Sequence, residues 1–124
     1  MNISWVAGFF DGEGCISCRI KENTASQPRI TITQFGEEGY LTLVELQKIV
    51  GFGHICRSGK GYNQWRVTNN LDCVNFCKKI FPYTIRKKNV VGLFLSFLIL
   101  NHGKEKKRIG LAILKTHGRK GKRR

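Results

Sequence analysis

The stretch Trp5-Val6-Ala7-Gly8-Phe9-Phe10-Asp11-Gly12-Glu13-Gly14 decides how this chain is read. Ser4 suits the N-cap of a helix starting at Trp5, because a serine oxygen there accepts from unpaired backbone N–H groups. Gly8 and Gly12 then share one helix face, with Ala7 beside them. A glycine inside a helix costs roughly 1 kcal/mol relative to alanine. Two in so short a helix imply that another backbone approaches that face. Asp11 and Glu13 follow at the helix's C-terminal end, where the macrodipole is negative and favours a cation. Gly12 and Gly14 flank Glu13 and leave its carboxylate little cover. Hard oxygen donors of this kind suit Mg2+ or Mn2+ with waters retained. The plainer alternative is a helix ending in an Asp-Gly turn, with both acids solvated.

The rest of the composition sharpens this reading. The 124 residues suit one domain with one core. Lys and Arg number 22 against 8 acids, a formal charge of +14. That excess points to a polyanion, most simply nucleic acid. An anionic membrane surface fits less well, since the basic C-terminus lacks aromatic anchors. Val90 to Leu100 is apolar nearly all round but falls short of the ~20 residues a membrane span needs, so it reads as a buried helix. Cys15 and Cys18 have zinc-finger spacing, but they sit in an alternating segment that sends them to opposite faces. Cys73 and Cys77 are helix-spaced and read as core. Five cysteines and no signal peptide point to an intracellular, reducing compartment rather than secretion.

After Gly14 the periodicity switches from helical to alternating. Cys15 to Lys21 reads as a strand with Ile16, Cys18 and Ile20 on one face. Glu22 to Pro28 reads as a polar loop, and Arg29 to Gln34 as a second strand with Ile30, Ile32 and Gln34 together. Gly36 to Gly39 reads as a break. Tyr40 to Val50 follows as a helix with Leu41, Val44, Leu46 and Ile49 inward. Gly51-Phe52-Gly53 turns into a third strand, His54 to Arg57. A hairpin loop at Ser58-Gly59-Lys60-Gly61 leads to a fourth, Tyr62 to Thr68, with Trp65 and Val67 inward. Asn69 or Asn70 caps a helix over Leu71 to Ile80, which Pro82 ends, and Val90 to Leu100 is the last long helix. Residues 103–124 form a basic extension with a short helix near Leu111 to Leu114 and a tail. The expected architecture is α+β, one four-stranded antiparallel sheet with helices on one face.

Val6 to Gly14 resembles the signature motif of the LAGLIDADG homing endonucleases, matching at the Ala-Gly pair, the first acid and the final Gly-acid-Gly. The resemblance covers about Ser4 to Leu100 and implies a single endonuclease domain over residues 1–102 with the αββαββα fold. One motif per chain implies a homodimer with the motif helices at the two-fold axis. Ala7, Gly8, Asp11 and Gly12 would form that interface, Asp11 as a structural residue. The resemblance further implies a site-specific double-strand DNA endonuclease that cleaves a long near-palindromic site by divalent-metal-dependent hydrolysis and spreads a mobile intron. Mg2+ would be the ion, with Mn2+ as a substitute. Glu13 and the Gly12 carbonyl would hold it. Gln34 resembles the polar residue that positions water. Lys87 resembles the basic residue near the scissile phosphate, with Arg86 and Lys88 as its neighbours in register.

Alternation leaves one face of the sheet with Ser17, Arg19, Lys21, Arg29, Thr31, Thr33, Gln64, Arg66 and Thr68, and no Asp or Glu. Such a face suits a DNA major groove, where Arg pairs with guanine and Gln with adenine. Lys88 would add a phosphate contact. Two other functions fit the same fold and charge: an RNA-binding maturase acting on intron RNA, and a DNA-binding regulator that does not cut.

Overall fold

The computed structural model describes residues 2–21, 24–99 and 112–113, with side chains 19–21 and 24–27 excepted. Helix α1 (Ile3–Glu13) leads into β1 (Gly14–Lys21), β2 (Thr24–Phe35), α2 (Gly36–Val50), β3 (His54–Arg57), β4 (Tyr62–Val67), α3 (Asn70–Ile80), a 3-10 turn (Phe81–Tyr83) and α4 (Lys88–Ile99). The four strands form one antiparallel sheet in the order β1-β2-β4-β3. This is the expected α+β order. Among the described residues, no helix is long and apolar enough to cross a membrane.

The inner face of the sheet carries Ile16, Cys18, Ile30, Ile32, Trp65 and Val67, all buried against the helices. A run of rings ties the layers together. Phe10 of α1 meets Phe76 of α3 edge-on at 5.4 Å, and Phe76 lies 5.2 Å from Trp65 of β4. Ring pairs of this kind contribute about 0.5–1.5 kcal/mol beyond their burial. The Trp65 indole N–H donates to the Phe52 carbonyl at 3.2 Å, so its one polar atom is satisfied. Gly14 is required at the start of β1, because a Cβ there would overlap the Phe10 ring. Burial pushes the Cys73 thiol up from 9.0 to about 12 and raises Cys77 as well, which keeps both neutral as core residues.

Local chemistry moves several boundaries from where the sequence suggests them. Asn2, not Ser4, caps α1: its Oδ1 accepts from the N–H groups of Ser4 and Trp5 at 3.1 and 3.2 Å. The loop expected over Glu22 to Pro28 is mostly strand, with Ser26, Ala25 and Thr24 pairing to Arg19, Ile20 and Lys21. The register shifts between Ser17 and Arg19, and Pro28 lies opposite that shift, where its missing N–H removes no regular ladder bond. The glycines of Gly36 to Gly39 do not break the chain; they open α2. Gly36 takes φ +76 there, and Glu37 and Glu38 in the first turn complement the dipole. The longer helix is also rotated, so that Leu43, Leu46 and Val50 are buried while Leu41 is exposed. Helix α3 is capped by Asn69, whose Oδ1 accepts from the Asp72 N–H at 2.8 Å. In the C-terminal extension Ala112 and Ile113 are helical and Ile113 is buried. The tail lies outside the described residues.

Candidate nucleic-acid interface and metal centre

The two acids of the opening motif have separate tasks. The Asp11 carboxylate faces its own chain, where Oδ2 accepts from the Ile85 N–H at 2.7 Å and Oδ1 from the Lys87 N–H at 3.2 Å. It therefore stitches the segment before α4 onto the end of α1. Both bonds are made within one protomer. Glu13 is exposed at the last position of α1.

Gln34 and Lys87 reach the same helix end. Gln34 Nε2 donates to Thr33 O at 2.9 Å and lies 3.3 Å from Glu13 Oε1. Gly39 lets it lie there, because a Cβ on Gly39 would come within 2.8 Å of Gln34 Cβ. Lys87 Nζ donates to the Asp11 carbonyl at 2.7 Å, two residues before Glu13. Its neighbours point elsewhere. Lys88 Nζ donates to the Phe81 carbonyl at 2.8 Å and sits 4.3 Å from the centre of the Phe81 ring, while Arg86 is exposed. Lys88 thus bonds within its own chain, as Lys87 does.

Helix carbonyls near a C-terminus lack intrahelical partners. The Gly14 N–H takes the Phe10 carbonyl and Lys87 takes that of Asp11. The next carbonyl belongs to Gly12. One carboxylate and one carbonyl suit a hard divalent ion that keeps several waters. Among the described residues, no three His, Cys, Asp or Glu side chains cluster as a metal site.

The glycines of α1 share one open face, and Ala7 does not belong to it. Gly8 and Gly12 are exposed, and a Cβ on either would meet nothing within 4 Å. No described residue of the protomer therefore requires glycine there. Ala7, expected on the same face, is fully buried in its own core with Val6 and Phe10.

On the outer face of the sheet, register brings the polar residues into rows. Cys15 pairs with Thr31, Thr31 with Arg66, and Arg66 with His54. Thr33 pairs with Gln64, and Gln64 with Cys56. Ser17 pairs with Arg29, which is exposed, and Thr68 is exposed just past β4. Arg19 and Lys21 have their backbones in β1, but their side chains are outside the described residues. Thr31 is only 9% exposed and has little surface to offer a ligand. Cys15 lies on this face, opposite Cys18 as alternation implies, and His54 and Cys56 join it although alternation alone did not assign them a face. A strand as short as β3 gives too few alternations to reveal its orientation without a partner. The described outer-face residues include no acid.

Residues 6–100 match the family model described as LAGLIDADG endonuclease. The chain belongs to this family. A LAGLIDADG relative, DNA endonuclease I-CvuI of Chlorella vulgaris, is 26% identical over 103 residues, 79% of this chain and 64% of the relative's length. Two solved LAGLIDADG structures share the fold. The archaeal intron-encoded homing endonuclease I-Vdi141I, complexed with DNA, superposes with a TM-score of 0.73 at 19% identity, covering 91% of this chain and 82% of that one. I-CvuI in complex with the I-CreI target in the presence of Mg gives 0.69 at 20% identity, covering 94% of each chain.

Proposed function

We propose that this chain is a site-specific DNA endonuclease that acts as a homodimer on a long, near-palindromic duplex site by divalent-metal-dependent hydrolysis. The observation that carries this reading is the half-built site at the end of α1, where Glu13 stands with Gln34 and Lys87 beside an open glycine face. A second copy packed on Gly8 and Gly12 would bring a second Glu13 to the first. That would supply the acidic ligands one protomer lacks.

Glu13 and the Gly12 carbonyl would hold Mg2+, with Mn2+ as substitute. Bound there, a divalent ion supplies an activated water and offsets charge on the phosphate. The chain's own groups do the rest. The Gln34 carboxamide, held by Thr33 and Glu13, orients water at the carboxylate. The Lys87 ammonium, fixed on the Asp11 carbonyl, places positive charge near the scissile phosphate. The acid-free outer face, with Arg29, Gln64 and Arg66, lies in the major groove and sets the register of the cut.

Glu13→Gln tests the reading. The variant should retain duplex binding in Ca2+ and lose Mg2+-dependent double-strand cutting of a sequence selected from a randomised library. Cutting that survives the substitution would remove Glu13 from the metal site. Specific binding by wild type without any cutting would favour a regulator, and selective affinity for intron RNA over duplex DNA would favour a maturase.

A further inference from the structure

On the outer face, Arg66 is not a lone side chain. Its Nε and Nη2 both donate to Gln64 Oε1, at 3.1 and 2.7 Å, and Gln64 Nε2 donates to Thr33 Oγ1 at 3.1 Å. The chain of bonds runs in one direction only. Guanidinium has donors and no acceptor, so Gln64 must present its carbonyl oxygen to it. The carboxamide nitrogen is then turned to Thr33, its cross-strand partner. All three residues are partly buried, which limits the competing water.

We infer that Gln64 does not read a base itself but is a positioning residue for Arg66, and that Thr33, Gln64 and Arg66 together read one guanine in each half-site. This rests on the DNA-binding reading above. Gln recognises adenine by using its oxygen and nitrogen at once. Here both are committed within the protein. The bond to Gln64 occupies the side edge of the guanidinium, Nε and Nη2, and leaves the end-on edge formed by Nη1 and Nη2. That edge has the two-donor spacing that matches guanine O6 and N7. Fixing the side chain beforehand lowers the ordering cost of binding, which otherwise falls heavily on a long, flexible arginine. Gln64 Oε1 already accepts both guanidinium bonds, so a two-point contact with adenine, which needs that oxygen, would compete with Arg66.

The test is a selection of the full-length chain on a randomised duplex library in Ca2+, with bound molecules sequenced. Wild type, Gln64→Ala, Gln64→Glu, Arg66→Ala and the double variant Gln64→Ala/Arg66→Ala are compared, each checked for an unchanged melting transition. Arg66→Ala should erase a guanine preference at one base pair per half-site. Gln64→Ala should weaken that same preference by about tenfold, within the range set by one bidentate contact, and leave other positions alone. Gln64→Glu keeps an acceptor for Arg66 and should keep the preference, although its added charge lowers affinity for every sequence alike. The double variant should look like Arg66→Ala at that position. Loss of an adenine preference at a different base pair in Gln64→Ala, with the guanine intact, would overturn the inference, as would an unchanged profile. Either result would leave the DNA-binding function standing. A wild type that selects no duplex sequence would overturn both.

Discussion

On the inner face of the sheet, Ile30, Ile32, Trp65 and Val67 are close-packed against helices; on the outer face, the residues that alternate with them in sequence are Thr31, Thr33, Gln64 and Arg66. The same strands make both. Helix α1 repeats the division: Val6, Ala7 and Phe10 point into the core, while Gly8 and Gly12 leave an open stripe. The inner set holds the fold and could be apolar in many ways. The outer set does little for the fold, so its polarity, its lack of acids and its bare glycines have to be explained by something outside the protomer. Substitutions on the two sides should separate stability from recognition.

The largest effect on stability is expected inside. Trp65→Ala removes the ring between Phe76 and the sheet and strands the Phe52 carbonyl that its indole N–H now satisfies. Truncations of this kind cost about 3–5 kcal/mol. Chemical denaturation should show the midpoint falling accordingly, and DNA binding should fail together with the fold. A loss below about 1 kcal/mol would mean that the ring run from Phe10 to Trp65 does not hold the layers together.

Gly8→Leu should have a smaller effect on the protomer and of opposite sign. The position is open, so the side chain fits, and replacing a helix-interior glycine stabilises by roughly 0.5–1 kcal/mol. The proposed dimer should nevertheless be lost, because the new side chain would hold the second helix away. Sedimentation equilibrium reads the two apart: a folded chain of protomer mass is the expected result. An unchanged dimer mass would place the two-fold contact on another surface.

Much of this division could be read from residue order alone. Alternation placed Ile16, Ile30, Ile32, Trp65 and Val67 inward, and the switch from helical to alternating period at Gly14 gave the order of elements. The motif drew attention to Glu13. What sequence did not show were matters of partner and register. Whether Ser4 or Asn2 caps α1 depends on one turn of backbone, and both residue types are good caps. Gly36 to Gly39 looked like a break because glycine is usually one, but a positive φ at Gly36 starts α2 instead. Ala7 seemed to share the glycine stripe because it adjoins Gly8, yet a helix turns about 100° between neighbours and carries it into the core. The commitment of Gln64 to Arg66 depends on side-chain atoms two residues apart on one strand, which no spacing rule predicts. Among Arg86, Lys87 and Lys88, the bonds of Lys87 to Asp11 mark the residue that faces the motif.

Arg29 should give the smallest change. It is exposed on the outer face beside Ser17. Arg29→Ala should leave the melting transition within about 0.5 kcal/mol of wild type, as surface substitutions generally do. If its guanidinium neutralises a phosphate, affinity should fall by a similar factor for every duplex sequence. The slope of log affinity against log salt should then become shallower by about 0.9 per protomer, the value for one released counterion. If Arg29 instead reads a base, the salt slope should hardly move and one base-pair preference should vanish. Arg66 has a built network around it and Arg29 has solvent. The two arginines should therefore differ in kind as well as in size: the held one specifies a base, and the exposed one contributes charge.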